Sequence, residues 1–191
     1  MISIDPRHWL WGPLSRLGLS VALVTFVLDQ AHKWWMLLGF DIRGKGRVTV
    51  TPFLDFVYVL NQGVSYSFLT GSNQRWQYAL AVFALLAAVT LAIWVARGVD
   101  NRLTAISAGL IIGGALGNGL DRLTLGGVAD FFSLHAFGYY WYVFNIADVA
   151  IVAGVVGLLY ESVSPSKSLS SGATAAAETS ADATKRTQSG R

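Results

Sequence analysis

The sequence predicts an all-α membrane protein with four transmembrane helices and a small β-containing segment outside the bilayer, between the first and second helices. Two compositional observations favour this class. Of the 191 residues, 53% are hydrophobic and only 13% are charged, whereas soluble domains are about one quarter charged. The third observation is a set of long apolar runs that match the thickness of a bilayer. The formal net charge of +3 is too small for a basic footprint, so we expect no nucleic-acid partner.

Four apolar stretches account for the predicted spans, at residues 17–38, 76–96, 103–120 and 140–160. The second and third carry no charged side chain, and the fourth carries only Asp148. The first is interrupted by Asp29 and Lys33, and a signal peptide is the competing interpretation. No small-x-small cleavage site follows its apolar run, so we expect a retained helix.

The other segments are two outer segments, a short N-terminal segment and a tail. In the first outer segment, residues 39–75, the stretch RVTVTPFLDFVYVLNQG is rich in β-branched and aromatic residues and predicts strands. Residues 122–139 form the second outer segment. Residues 1–13 precede the membrane domain of residues 14–162, and the Ser-, Ala- and Thr-rich residues 163–191 predict a disordered tail.

Four helices place both chain termini on the same side of a membrane. The positive charges near the spans are nearly balanced between the two sides, but the short loop at residues 97–102 carries two arginines. Because short loops weigh most in the positive-inside rule, this loop favours cytoplasmic termini.

Several kinds of chemistry are excluded or disfavoured by composition. The chain has no cysteine, which excludes disulfides, thiol catalysis and cysteine-based metal sites. Its three histidines, His8, His32 and His135, show no metal-ligand spacing. We therefore expect neither a metal nor a cofactor.

The first span carries an acid and a base four residues apart. Asp29 and Lys33 share a helix face and can form an ion pair. One interpretation is a structural pair near the helix end, with Lys33 extending its ammonium towards the membrane surface. The other is a functional role, which ionisable groups in membranes often have.

Small residues repeat every four positions on the third span. Gly109, Gly113 and Gly117 form a stripe that permits close approach of another helix. The stripe would also bring Asn118 close to the neighbouring helices.

Further polar residues stand at the ends of the spans. Asn118, Asp121 and Arg122 occupy one face of a helix end, where Asp121 either forms a salt bridge with an arginine or acts directly. Asn61 and Gly63, just before the second span, form a turn signal when taken alone. Together these residues form polar elements that converge on one membrane face.

Two carboxylates are predicted to meet at one end of the helix bundle. Asp130 follows a Gly-Gly turn signal within an apolar stretch, and Asp148 lies three residues after Asn145, about two turns into the fourth span. Two adjacent carboxylates in a poorly solvated site cannot easily both ionise, so one keeps a proton. Such a pair can deprotonate water and protonate an amide leaving group, which is aspartyl-protease chemistry.

At these residues the chain resembles lipoprotein signal peptidase (signal peptidase II), a family of bacterial membrane aspartyl proteases. The motifs of that family occur in order: LDQAHK, NQGVSYS, GNGLDRLTLGGVADF and FNIAD. Each motif alone has low specificity, but four in order among four predicted spans are strongly indicative. The resemblance covers about residues 14 to 162.

The resemblance implies roles for individual residues. Asp130 and Asp148 would be the catalytic pair. The positions that would bind substrate or shape the site are Asn61, Gly63, Asn118, Arg122, Asn145 and Ala147. The structural polar positions would be Asp29, Lys33 and Asp121. The chain departs from the family at Ser65-Tyr66, where Ala-Phe is usual, and this departure affects a pocket or its packing and not the pair.

The resemblance also implies an activity and a location. The family removes signal peptides from prolipoproteins by cutting before a diacylglyceryl-modified cysteine. The chain would be a multi-pass protein of the bacterial inner membrane, with its site at the periplasmic face and both termini in the cytoplasm. Expected partners are prolipoproteins, membrane lipids and a globomycin-type inhibitor, and the expected state is a monomer.

Two alternatives belong to other functional classes. Intramembrane aspartates also occur in proton-coupled carriers and channel subunits, although no internal repeat is visible and only four spans are predicted. A structural membrane subunit, whose polar residues only hold helices together, is the other alternative.

Overall fold

A computed structural model describes residues 11–63 and 74–164 of the chain. The elements in chain order are helix α1 (Ser15–Trp34), a π-helical segment (Trp35–Gly39), short helix α2 (Ile42–Lys45), strands β1 (Val48–Thr51) and β2 (Leu54–Asn61), helices α3 (Gln74–Ala96) and α4 (Arg102–Thr124), strands β3 (Val128–Ala136) and β4 (Tyr139–Phe144), and helix α5 (Ile146–Val163). The contacts described below lie in the compact unit that ends at Leu159. The predicted tail from residue 165 onward and Ser65-Tyr66 lie outside the described residues.

Three helices of the described residues, α3, α4 and α5, are long and apolar enough to cross a membrane. The prediction of a helical membrane protein with a small sheet is therefore confirmed, with three helices of the described residues that meet these criteria. Helix α1 has 20 residues but carries Arg16, Asp29 and Lys33, and it is not one of the three.

The glycine stripe of α4, predicted to permit close approach of another helix, packs against α1. A methyl group at Gly109 would lie 2.9 Å from Cβ of Val21, and one at Gly113 would lie 2.7 Å from Cβ of Thr25. Real Cβ atoms do not approach so closely, so the absence of side chains lets the two helix backbones come together. This contact brings the last turns of α4 beside the last turns of α1.

The strands form one antiparallel sheet in the order β1-β2-β3-β4. In the pairing of β2 with β3, Asn61 lies opposite Val128 and Val59 lies opposite Asp130. The end of β2 therefore lies beside the start of β3. Gly126, at φ +75°, adopts the left-handed conformation that turns the chain from α4 into β3.

Two predictions about the sheet are wrong. The fold is not all-α with strands only between the first two spans, because the second outer segment forms β3 and β4. The stretches VADFFSLHA and YYWYVF have the aromatic and β-branched content typical of strands, and β3 pairs with β2 across the sheet. Residues 140–144, predicted as the start of the fourth span, are therefore strand.

The helix boundaries differ from the predicted spans in three places. Helix α1 changes to π-helical hydrogen bonding after Trp34, within the predicted first span. Helix α4 continues to Thr124, so Asp121 and Arg122 lie in its last two turns. Helix α5 begins at Ile146, which places Asn145 before the helix and Asp148 in its first turn, not two turns in.

An apolar cluster beneath the sheet supports the strand that carries Asp130. Its buried members are Met36, Leu37, Ile42, Ala129 and Phe131. The residues on both sides of Asp130 are thus wholly buried, which restricts the position of the carboxyl group between them.

Candidate active site

Strand β3 and helix α5 bring Asp130 and Asp148, hereafter the dyad, to the same residue, Asn145. The amide of Asn145 donates to Oδ1 of Asp130 across 2.6 Å, and the backbone N–H of Asn145 lies 3.4 Å from Oδ2 of Asp148. Asp130 is 1% exposed, whereas Asp148 is partly exposed. The two carboxyl groups predicted to meet are therefore both bound by one residue.

Asn145 and Asp148 cap the start of α5 reciprocally. Oδ1 of Asn145 accepts from the backbone N–H of Asp148 across 3.0 Å, while the carboxylate of Asp148 faces the N–H of Asn145. This is the arrangement of a capping box, which satisfies N–H groups that a helix start leaves free. Because the cap uses Oδ1 of Asn145, the Nδ2 end of the amide points to Asp130.

Asn61 holds the other oxygen of Asp130. At the end of β2, its Nδ2 donates to Oδ2 of Asp130 across 3.1 Å and lies 3.3 Å from the hydroxyl of Tyr142. Its Oδ1 accepts from the N–H of Gly63 across 3.0 Å. The turn signal predicted at Asn61 and Gly63 is thus a turn whose asparagine also reaches the dyad.

Asn118 binds the second member of the dyad. Its Nδ2 donates to Oδ1 of Asp148 across 2.8 Å. Its Oδ1 accepts from Lys33 across 3.1 Å and from Asn145 across 3.2 Å. Because an ammonium group can only donate, Lys33 must face the oxygen of Asn118, and the N–H₂ group is left for Asp148.

Arg122 lies beside the dyad and does not pair with Asp121. Its guanidinium donates to the carbonyl oxygens of Asn118, across 3.0 Å, and Gly63, across 3.4 Å. Its buried Nε has no hydrogen-bond partner among the described residues. Arg122 therefore connects α4 to the turn after β2 and keeps one N–H available.

The predicted Asp29–Lys33 pair forms, but two expectations about its surroundings are wrong. The Nζ–Oδ2 distance is 2.8 Å, and Lys33 is 1% exposed, so its ammonium points into the protein and not to the membrane surface. Asp121, expected to pair with an arginine, lies 2.7 Å from Lys33. The long Lys33 side chain reaches across from α1 because the glycine stripe lets α4 approach closely.

Ala147 contributes its backbone. The residue is wholly buried, and its N–H donates to Oδ1 of Asp29 across 2.9 Å. The structure thus brings together the nine polar positions and two small residues singled out in the sequence, namely Asp29, Lys33, Asn61, Gly63, Asn118, Asp121, Arg122, Asp130, Asn145, Ala147 and Asp148. Their individual roles stay predictions.

Three contributing side chains were missed in the sequence. Gln30 lies between the carboxylates of α1 and α4, and its position within LDQAHK was the available signal. The hydroxyl of Tyr142, in the aromatic run YYWY, contacts Asn61. Gln77, an amide on an otherwise apolar span, donates to the carbonyl of Gln62 across 2.7 Å and so supports the turn after β2.

A cavity of about 450 Å³ opens beside the dyad. Asp148, Asn118 and Arg122 line its polar end, and residues of α3 and α5 such as Phe83 and Val152 line its apolar wall. A molecule with a polar backbone and apolar attachments fits such a cavity, because polar groups meet at one end only.

Asp130 has the electrostatics of a carboxyl group that stays protonated near neutrality. Burial, and then the charge of Asp148, raise the pKa of Asp130 to about 7, against the donors Asn61 and Asn145. The dyad can therefore hold one proton and one negative charge together, which is the state that acid–base hydrolysis requires.

The chain is similar to known lipoprotein signal peptidases, in agreement with the resemblance of its sequence motifs. The family model for signal peptidase (SPase) II matches residues 21–164. A lipoprotein signal peptidase of Rhodopseudomonas palustris is 51% identical over 152 residues, which are 78% of this chain and 92% of the relative. One of a Methylobacterium species is 48% identical over 147 residues, 77% of this chain and 88% of the relative.

Two solved structures of a bacterial membrane enzyme share the fold. One is 26% identical with a TM-score of 0.63, and the match covers 83% of this chain and 99% of the chain in that structure. The other is 27% identical with a TM-score of 0.62, and the match covers 80% of this chain and 93% of the chain in that structure.

Proposed function

The chain belongs to the signal peptidase II family, and we propose that it is an aspartic endopeptidase that removes signal peptides from prolipoproteins by cutting before a diacylglyceryl-modified cysteine. The observation that carries the catalytic assignment is that Asn145 contacts both Asp130 and Asp148. A pair of carboxyl groups with one proton needs no metal or cofactor for amide hydrolysis.

Asp148 activates the water. It lines the cavity, where a water molecule can reach it, and accepts hydrogen bonds from Asn118 and Asn145. Asp148 takes a proton from water as the water oxygen bonds to the scissile carbonyl carbon. Asp130 holds a proton up to about pH 7 and gives it to the carbonyl oxygen. Collapse of the tetrahedral intermediate breaks the C–N bond. The amine leaves with the proton from Asp148, and one hydroxyl of the intermediate returns its proton to Asp130 as the carboxylic acid product forms.

Helix α1 is proposed as a fourth membrane span. Its start lies beside the end of α3, since Gly12 N–H donates to Ala96 across 2.7 Å. Its end lies beside the end of α4, where Lys33 meets Asp121. The charges of Asp29 and Lys33 face protein, since both residues are at most 1% exposed, so lipid does not meet them.

With four spans, both termini share one side and the sheet lies on the other. We place the termini in the cytoplasm and the dyad at the periplasmic face of the inner membrane. The diacylglyceryl chains of a prolipoprotein would then stay among membrane lipids while the scissile bond reaches the polar end of the cavity. A globomycin-type peptide would block the same cavity, and a monomer would suffice because the dyad and its donors come from one chain.

An in vitro cleavage assay tests this proposal. The purified protein should cut a diacylglyceryl-modified prolipoprotein without any ion gradient, and should cut the unmodified precursor far more slowly. Asp130→Asn and Asp148→Asn should each lower kcat by about 10²- to 10⁴-fold, the usual contribution of a general acid or base.

The matched control is Asp55→Asn. Asp55 is a carboxylate on β2 that is 2% exposed and pairs with Arg47 across 2.6 Å, outside the cavity. The Asp55→Asn variant should keep the cleavage rate of the parent protein even if its melting temperature is lower. Substantial turnover by either dyad variant would refute the catalytic assignment, and dependence on an ion gradient would favour the carrier alternative.

A further inference from the structure

A buried group of charges joins α1 to α4 behind the dyad. Asp29, Lys33 and Asp121 are 0%, 1% and 2% exposed. The ammonium nitrogen of Lys33 lies 2.8 Å from Asp29, 2.7 Å from Asp121 and 3.1 Å from Oδ1 of Asn118. An ammonium group has three N–H bonds, so these three acceptors use its full donor capacity.

Each of the two carboxylates also binds a backbone N–H. Oδ1 of Asp29 accepts from Ala147 across 2.9 Å, and Oδ2 of Asp121 accepts from Ala129 across 3.1 Å. Each alanine immediately precedes one member of the dyad. The N–H of Ala147 lies in the first turn of α5, where no helical acceptor exists. The same ammonium thus connects, through one carboxylate each, to the backbone before both catalytic positions.

Gln30 connects the two carboxylates a second time. Its Nε2 lies 3.2 Å from Oδ2 of Asp29, 3.1 Å from Oδ1 of Asp121 and 3.3 Å from the carbonyl oxygen of Gly117. Two carboxylates against one ammonium leave a surplus negative charge in a dry site, which N–H donors stabilise. Gln30 is the neutral residue that supplies those donors.

We propose that Asp29, Gln30, Lys33 and Asp121 form a clamp that holds the backbone before each dyad residue and so sets the spacing of the two catalytic carboxyl groups. The clamp deepens the proposed function and rests on it for the identity of the dyad. In the clamp, Gln30 is a positioning residue that acts through its two neighbouring carboxylates and touches neither substrate nor dyad.

Stability alone does not account for such a cluster. A buried ion-pair group is often no more stabilising than apolar residues of the same volume. Placement does account for it, because an error of about 1 Å in a catalytic group lowers the rate by about 10²-fold. Apart from the contact of Gln30 with the carbonyl oxygen of Gly117, the contacts that the clamp makes outside itself end on a backbone N–H next to the dyad or on Asn118, which itself binds Asp148.

The test uses the full-length protein in detergent and the variant Gln30→Met, which keeps the length of the side chain but removes its donors. We expect kcat on lipidated prolipoprotein to fall by about 10- to 100-fold, with KM within about two-fold of the parent value. Amide hydrogen exchange should quicken at Ala129 and Ala147 and remain as in the parent along the middle of α3. Thr25→Val, which removes a buried hydroxyl one turn earlier on α1, is the control and should change neither kcat nor these two amides.

A second variant gives the two arms of the clamp separate readouts. In Asp29→Asn, the side-chain oxygen must turn to Lys33, because the ammonium only donates, and the N–H₂ group is left against the N–H of Ala147. Exchange should then quicken at Ala147 and not at Ala129. Unchanged kcat in Gln30→Met, or exchange that quickens equally throughout the protein, would overturn the clamp. An inactive parent would refute the proposed function, while the exchange pattern still decides whether the clamp holds these amides.

Discussion

At the scale of single residues, the three asparagines that donate to the dyad are oriented by neighbouring N–H groups, which can only donate hydrogen bonds. Asn61 accepts from a backbone N–H and Asn118 accepts from an ammonium. Asn145 accepts from the N–H of Asp148. Each asparagine must therefore direct its N–H₂ group to a carboxyl group of the dyad. A site built in this way needs little reorganisation when charge moves during the reaction.

The raised pKa of Asp130 predicts a pH dependence of stability. The folded protein binds this proton up to about pH 7, while the ordinary value is 3.8. The contribution of Asp130 protonation to the stability of the fold is therefore complete below the ordinary pKa and is lost as the pH rises through about 7. We expect the melting temperature in detergent to fall from about pH 5 to about pH 8, and to fall less in Asp130→Asn, which has no such proton to lose.

Asp55→Asn is the control for this measurement. A hydrogen bond from Arg47 lowers the pKa of Asp55, so its contribution is present above the ordinary pKa and is lost only as the pH falls. This variant should keep the decline between about pH 5 and pH 8. An equal decline in the parent and in Asp130→Asn would contradict the assignment of the proton to Asp130.

Local spacing predicted some of these contacts and could not predict others. The Asp29–Lys33 pair follows from the helical period, since residues four apart share a face. The contact of Lys33 with Asp121 joins residues distant in sequence, and only the packing of α1 on α4 creates it. With Arg122 adjacent to Asp121, the sequence favoured the wrong cation, although consecutive residues on a helix point in different directions.

At the scale of elements, the junction of β4 and α5 shows why the fourth span was placed too early. Apart from Asn145 and Asp148, the run YYWYVFNIADVAIV is aromatic or aliphatic, so hydrophobicity does not separate strand from helix. The separation comes from Asn145 and Asp148, which cap the helix start. The change of element at Asn145 puts one carboxylate in the first turn, beside the strand that carries the other.

The close packing of α4 predicts unequal effects at two of its glycines. A methyl group at Gly117 would collide with the carboxylate of Asp29, with its Cγ at 3.2 Å, whereas one at Gly119 would meet Ala84 at an ordinary 3.5 Å. We expect Gly117→Ala to cost about 1–3 kcal/mol of stability and to lower kcat, because Asp29 must move. Gly119→Ala is the matched control in the same buried helix. Melting temperatures and cleavage rates of both variants test this, and equal effects would contradict it.

At the scale of the whole molecule, composition and motif order were enough to predict a membrane peptidase of this family. They did not predict the four-stranded sheet, because its strands come from two segments separated by α3 and α4. Asn61 lies opposite Val128 only in that sheet. The convergence of Asn61 on Asp130 therefore depends on long-range strand pairing, which a local pattern does not contain.

The proposed fourth span predicts the sidedness of three exposed positions. The chain has no cysteine, so Trp11→Cys, Asp100→Cys and Phe137→Cys each introduce one reactive thiol at an exposed residue. With an impermeant maleimide on spheroplasts, we expect labelling at position 137 alone, and at positions 11 and 100 only after the membrane is disrupted. The reason is that α1 extends from the end of α3 to the end of α4. Labelling of both positions 11 and 137 on intact spheroplasts would show that α1 does not cross the membrane, and labelling of positions 11 and 100 without 137 would show the inverted orientation.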